Sequence, residues 1–135
     1  MALRVLVASD WTQTVESRVI EGKHKRNRVK LVLPASASTT YPSSGGIPLP
    51  TTLGMVRNVD YVIITQPLTP STVEAGAVNS YLHHYNQALH SVHLYEPLVS
   101  TADPSVGFRE VPTTFVVSTV YGAAAPVMYI EAVGW

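Results

Sequence analysis

The chain has no cysteine in its 135 residues. Disulfides, Cys-ligated zinc and a thiol nucleophile are therefore excluded. Charge is scarce as well: nine Lys and Arg balance nine Asp and Glu, 13% of the residues, where an average soluble domain carries roughly 25%. A neutral, weakly charged chain is a poor match to a nucleic-acid-binding domain, which is normally basic as a whole. No stretch of about 18 uncharged apolar residues occurs, so no membrane-spanning helix is expected. The opening MALRVLVASDW meets Arg4 and then Asp10 and lacks the long apolar region of a secretory signal. Synthesis in a cytoplasm is the expectation at this point.

What the chain has in quantity is β-forming residues. Val, Ile and Thr together number 38 of 135, and ten prolines and eight glycines interrupt every long stretch, which favours sheet over helix. Strands are expected over Leu3 to Ala8, Thr12 to Ile20, Arg28 to Leu33, Val59 to Gln66, Ser80 to Tyr85, Leu89 to Tyr95, Thr113 to Tyr121 and Met128 to Val133. About eight antiparallel strands predict an all-β jelly roll or β-sandwich, a single domain over residues 1–135 with long Pro/Gly-rich loops. One short helix is expected over Ser71 to Asn79, where Ser71 and Glu74 form a capping-box pattern behind Pro70.

Two loop-rich segments, Pro34 to Leu53 and Pro97 to Pro112, hold seven of the ten prolines. The first contains YPSSGGIPLP, residues 41–50. A phosphate-cradling loop needs a lysine and free backbone N–H groups. This stretch has no lysine, and Pro48 and Pro50 remove two donors. It reads instead as a shaped arm around residues 34–57, stiffened by proline and bent at Gly45 and Gly46. Tyr41, Ile47, Pro48 and Leu49 are then its candidate partner contacts, the alternative being that the segment caps its own sandwich. Trp135 poses the same choice, with internal packing the expectation.

Charge clusters once. In KHKRNRVK, five of the nine basic residues, Lys23, Lys25, Arg26, Arg28 and Lys30, fall within eight positions. This reads as a basic hairpin tip. It carries no aromatic for base stacking, so an acidic patch on a partner protein fits better, and a solvated turn fits as well.

Histidine supplies the case for chemistry. His83, His84, His90 and His93 lie within eleven residues, among Tyr81, Tyr85 and Tyr95. A hairpin turning at Asn86 and Gln87 opposes His83 and His90; a three-residue turn opposes His84 and His90. Catalytic zinc wants three protein ligands, and non-haem iron two histidines with a carboxylate. Glu96 sits on the wrong face of an undistorted strand, and the HxH and nearby Glu of metal-dependent cupins are missing. His83, His84, His90 and Tyr85 are therefore expected in cross-strand packing or a homodimer contact, with no metal and no cofactor. No GxSxG elbow and no paired carboxylates stand out, so no catalytic residue is assigned.

The order YPSSGGIPL, then LGM at Leu53 to Met55, then VDYVIIT from Val59 to Thr65, with YIEAVGW closing the chain, resembles a group of small structural proteins of tailed phages. Their pattern runs YPxGGxPL, L-G, V-D-x-V and a closing G-W; here Ser43 and Ser44 make the first motif one residue longer. The likeness covers about a quarter of the chain. It implies a virion protein similar to the jelly-roll cement proteins that decorate capsids. Such proteins bind the outside of the shell, often as dimers, and bridge major capsid protein subunits. Two other classes stay open: a tail-associated or carbohydrate-binding jelly-roll module using exposed tyrosines, and a cupin-like metal-dependent enzyme using the histidines.

Overall fold

The computed structural model describes residues 4–34, 39–70, 82–97, 108–111 and 125–135. Their architecture is an all-β sandwich built from antiparallel sheets. The first sheet begins with β2 (Thr12–Glu21) and β3 (His24–Val32), after a short β1 (Arg4–Val5) and a 3-10 turn at Ala8–Asp10. Gly22 and Lys23 connect β2 to β3, with Gly22 at φ +63°. A two-residue hairpin demands this left-handed conformation at its first central position. β6 (Val59–Pro70) and β10 (Pro126–Gly134) complete the sheet in the order β2-β3-β10-β6. The period-two alternation of these strands sorts their side chains between two faces. Val29, Leu31, Val62, Leu68, Met128, Ile130 and Ala132 enter the core. Arg26, Arg28, Tyr61, Ile63 and Glu131 face outward in cross-strand rows.

The second sheet centres on β8 (Ser91–Pro97), paired on one side with β7 (Leu82–Asn86). On its other side β5 (Ile47–Pro48) and β9 (Phe108–Glu110) lie end to end, β5 against Ser91 and Val92, β9 against Tyr95 to Pro97. β1 pairs in parallel with β4 (Thr39–Thr40). Val92 and Leu94 of β8 pack into the core with Tyr41, Ile47, Leu49 and Leu53. Among the described residues no helix is long and apolar enough to cross a membrane.

Three expectations need correction. The basic run is strand rather than tip: β3 starts at His24, and only Lys23 sits in the turn. The β7–β8 hairpin turns over four residues, 87–90, and so opposes His84 to His93 instead of bringing His90 opposite either His83 or His84. The arm is also internal, since Tyr41, Ile47 and Leu49 are fully buried in the chain's own core. The strand expected at Thr113 to Tyr121 and the helix at Ser71 to Asn79 lie outside the described residues.

The paired glycines of the arm are not equivalent. Gly46 adopts φ +75°, and a Cβ there would lie 2.9 Å from His93, Ser91 and the Val92 carbonyl, whereas Gly45 has nothing within 4 Å. Gly46→Ala is expected to lose about 1–3 kcal/mol or more in urea unfolding. Gly45→Ala should stay within about 0.5 kcal/mol of the wild type; equal losses for the two would contradict this packing.

Candidate functional site

Glu110 ends β9 on the face of the second sheet that looks away from the core. Its Oε1 accepts from the Tyr41 hydroxyl at 2.6 Å, the Ser44 N–H at 3.1 Å and His93 Nδ1 at 3.0 Å. The Tyr41 hydroxyl in turn accepts the Leu94 N–H at 3.1 Å. That amide points from β8 into the gap between β5 and β9, where the ladder supplies no carbonyl. One phenol therefore closes a hole in the sheet and anchors a carboxylate, and segment 41–46 is drawn over the outer face of β8. Burial first, then the hydrogen bond to Glu110, holds the Tyr41 pKa well above the usual tyrosine value.

On the same face Ser91 Oγ lies 3.4 Å from His93 Nε2. Ser91, His93 and Glu110 thus share the order of a hydrolase triad, a grouping that scanning for GxSxG and for nearby carboxylates does not reveal. The only legible signal is the S-x-H spacing, which puts residues 91 and 93 on one face of a strand. Its chemistry points elsewhere. Ser91 donates its single hydroxyl proton to the Gly45 carbonyl at 2.6 Å, and the Asn86 amide competes for Nε2 at 3.4 Å. Ser91 is 1% exposed and Gly46 lies over it. No space is left for a substrate carbonyl within reach of Oγ, so the cluster acts as a clamp.

The remaining histidines divide by position. His90 adopts φ +49° in the turn, and its Nε2 donates to the Pro50 carbonyl at 2.8 Å while Nδ1 lies 2.7 Å from the Tyr85 hydroxyl. Burial raises the Tyr85 pKa. His83 Nε2 accepts the Leu68 N–H at 3.2 Å, tying β7 to β6. Of the four residues expected at a dimer contact, His83, Tyr85 and His90 hold internal hydrogen bonds, and His84 is exposed. Among the described residues no three His, Asp or Glu side chains gather as a metal site.

The basic cluster is split by the sheet. Arg26 pairs with Glu131 at 2.9 Å, and Arg28 lies 3.8 Å from Glu16 with its guanidinium 5.3 Å above the Tyr129 ring. Lys23 and Lys25 instead line an open cleft with Val56, Arg57 and Trp135. Contrary to the expectation of internal packing, the Trp135 side chain is 36% exposed. Pro48 is half-buried, its carbonyl taken by Trp11 Nε1 at 2.8 Å.

The outer face of the first sheet is open to solvent. Val19, Arg26, Val133 and Tyr61 form one row across it, and Ser17, Arg28, Glu131 and Ile63 the next. Val19, Ile63 and Tyr61 are 52%, 48% and 41% exposed. No family model, curated protein or solved structure matches the chain.

The Tyr41 geometry makes stability depend on alkaline pH. An unfolded tyrosine titrates near pH 10, and the folded one titrates higher. The native state then keeps a proton that the unfolded chain releases, so this contribution is whole below about pH 10 and is lost as pH rises through the folded pKa. Urea midpoints should fall across that range. Tyr41→Phe should cost about 1–3 kcal/mol at neutral pH, because the Leu94 N–H and Glu110 lose their partner, and should flatten the alkaline decline. An unchanged slope in the variant would show that another group controls it.

Proposed function

We propose that the chain is a virion structural protein that binds the outside of a phage capsid and stabilises it by bridging major capsid protein subunits. In this reading it is made in the host cytoplasm, works as a homodimer on the capsid exterior, and carries out no catalysis. The sequence resemblance supplies the class. The observation that carries it further is the open first sheet. Its outer face presents Val19, Tyr61 and Ile63 around paired charges, and exposed apolar groups gathered in this way mark contact surfaces. Its β2 edge is exposed over all ten residues and has no strand beside it among the described residues.

The two edges of this sheet differ. β6 carries Pro67 and Pro70, and side chains of β7 and the following turn reach it, His83 to the Leu68 N–H and Gln87 to the Asp60 carbonyl at 2.6 Å. β2 has no proline, and among the described residues its contacts beyond β3 are made by side chains, Gln13 to the Thr52 hydroxyl and Arg18 to the Gly54 carbonyl, which leave its edge backbone open. Natural sheets blunt the edges they do not use, so β2 and the adjoining face are assigned to partners. The arm is not, because its apolar side chains are consumed inside the fold. A glycan-binding platform is less well served: Tyr61 is open, but Arg28 lies over the Tyr129 ring.

Undecorated tailed-phage heads mixed with the purified protein provide the test. Co-sedimentation should saturate at a fixed ratio to the capsid subunit, and the shell should melt at higher temperature when decorated. Val19→Glu with Ile63→Glu should abolish uptake while leaving the unfolding midpoint of the free protein nearly unchanged. Protein that stays in the supernatant although folded would refute the capsid role.

A further inference from the structure

At the end of the sandwich where β2 turns into β3, Lys23, Lys25, Val56, Arg57 and Trp135 surround an open cleft of about 300 Å³. Its floor is apolar and exposed: Val56 is 79% and Trp135 36% accessible. The main chain holds that floor in place. The Trp135 carbonyl accepts the Arg57 and Asn58 N–H groups at 2.7 and 2.9 Å, and the Trp135 N–H donates to the Asn58 carbonyl at 2.9 Å. Gly134 leaves no room for a Cβ against that same Asn58 carbonyl. The His24 ring stands 6.1 Å from the indole, tilted by 39°. This is a preorganised aromatic platform, which lowers the ordering cost of binding.

The charge around it is mostly positive. Arg26, Arg28 and Arg109 each meet a carboxylate, and Arg18 is held by Asn27 and the Gly54 carbonyl. Among the described residues Lys23, Lys25 and Arg57 have no carboxylate side chain in reach. Two acids stand nearby: Asp60 accepts from Asn58 Nδ2 at 2.7 Å and stands 4.0 Å from His24, and Glu21 borders a neighbouring hollow that His24, Lys25, Arg26 and Val133 also line. Three cations thus stand around an exposed indole with no ion pair to a carboxylate side chain, a positive excess that an arriving anion relieves.

We propose that this cleft binds an acidic segment of a partner protein through an aromatic or aliphatic side chain. That side chain stacks on Trp135 and Val56, and flanking carboxylates meet Lys23, Lys25 and Arg57. Hot spots of this kind place an apolar anchor at the centre and charge at the rim. Single-stranded nucleic acid shares the need for an aromatic and cations, but it uses successive stacking platforms along a basic groove. Here one indole stands on a chain of zero formal net charge. The inference goes beyond the capsid reading and does not depend on it.

The test uses the random copolymer of glutamate and tyrosine as probe, followed by the indole N–H resonances of the isotope-labelled protein. The Trp135 resonance should shift to saturation. That of Trp11, buried and bonded to the Pro48 carbonyl, should stay. Lys25→Ala with Arg57→Ala should weaken binding by about tenfold or more, and added salt should weaken it in the wild type. Trp135→Leu should erase the preference for the copolymer over polyglutamate; thermal unfolding of each variant checks that it folds. Equal binding of polyglutamate without a Trp135 shift, tighter binding of oligothymidylate, or no saturable binding of the copolymer would each overturn the proposal.

Discussion

Much of the second sheet depends on the hydrogen bonds that converge on Glu110 Oε1. β8 is its central strand, yet β5 and β9 each pair with only part of one side of it, leaving the Leu94 N–H facing a gap. An unmet amide at a buried position costs about 1–3 kcal/mol. The Tyr41 hydroxyl meets it and donates onward to Glu110, which also takes the Ser44 N–H and His93. A carboxylate partly withdrawn from water is stabilised where several donors replace the hydration it has lost. The two requirements are solved together, and the solution brings segment 41–46 across β8.

Once that segment is in place, the glycines follow. Gly46 passes too close to His93 and Ser91 for any side chain. The same logic recurs in the loop before β6. Leu53 and Gly54 adopt φ +43° and +79°, Leu53 is buried, and a Cβ on Gly54 would strike Asn27. Asn27, itself buried, donates to the Leu53 carbonyl at 3.0 Å and accepts from Arg18 Nε at 3.0 Å. At the end of β10, Gly134 admits the Asn58 backbone. The YPSSGGIPL, LGM and GW motifs are thus the places where a loop is pinned to a sheet. They specify the scaffold, and the binding surfaces lie on residues between them.

This explains how much of the molecule was legible in its sequence. β10 was readable within a few residues because its alternation is strong, and β2 because its β-branched residues run uninterrupted by proline or glycine. The start of β3 was hidden by charge: His24, Arg26 and Arg28 alternate outward as a strand requires, but Asn27 occupies a core position where a pattern search expects an apolar residue. The register of the β7–β8 hairpin depended on His90 adopting a left-handed conformation, which residue type does not announce. The His93–Glu110 contact joins residues on two strands 17 positions apart in sequence, and carboxylates near in sequence, such as Glu96, were the wrong ones to weigh. Glu96 pairs with Arg109 instead, at 2.8 Å. That Tyr41, Ile47 and Leu49 turn inward could not be read from the arm alone, since an apolar side chain fills its own core or a partner's pocket equally well.

The low charge content acquires a physical meaning from its distribution. Arg26, Arg28 and Arg109 are matched with carboxylates across strands, where exposed pairs contribute under about 1 kcal/mol each. Their effect is less on stability than on the field: most charge on the outer sheet face is matched, Lys30 apart, and Val19, Tyr61 and Ile63 stand among paired charges. Matched charges are desolvated on contact at lower cost than lone ones. Lys23, Lys25 and Arg57, which meet no carboxylate side chain among the described residues, gather at the hairpin end beside Trp135, while Lys30 stays within β3. A broad face of mostly matched charge suits contact with a repeating surface, whereas a small cationic cleft suits selection of one segment by charge and shape. The sandwich keeps these two kinds of surface apart by the alternation of a single strand: β3 carries Arg26 and Arg28 on the outer face, while Lys23 in the turn and inward-directed Lys25 supply the cleft.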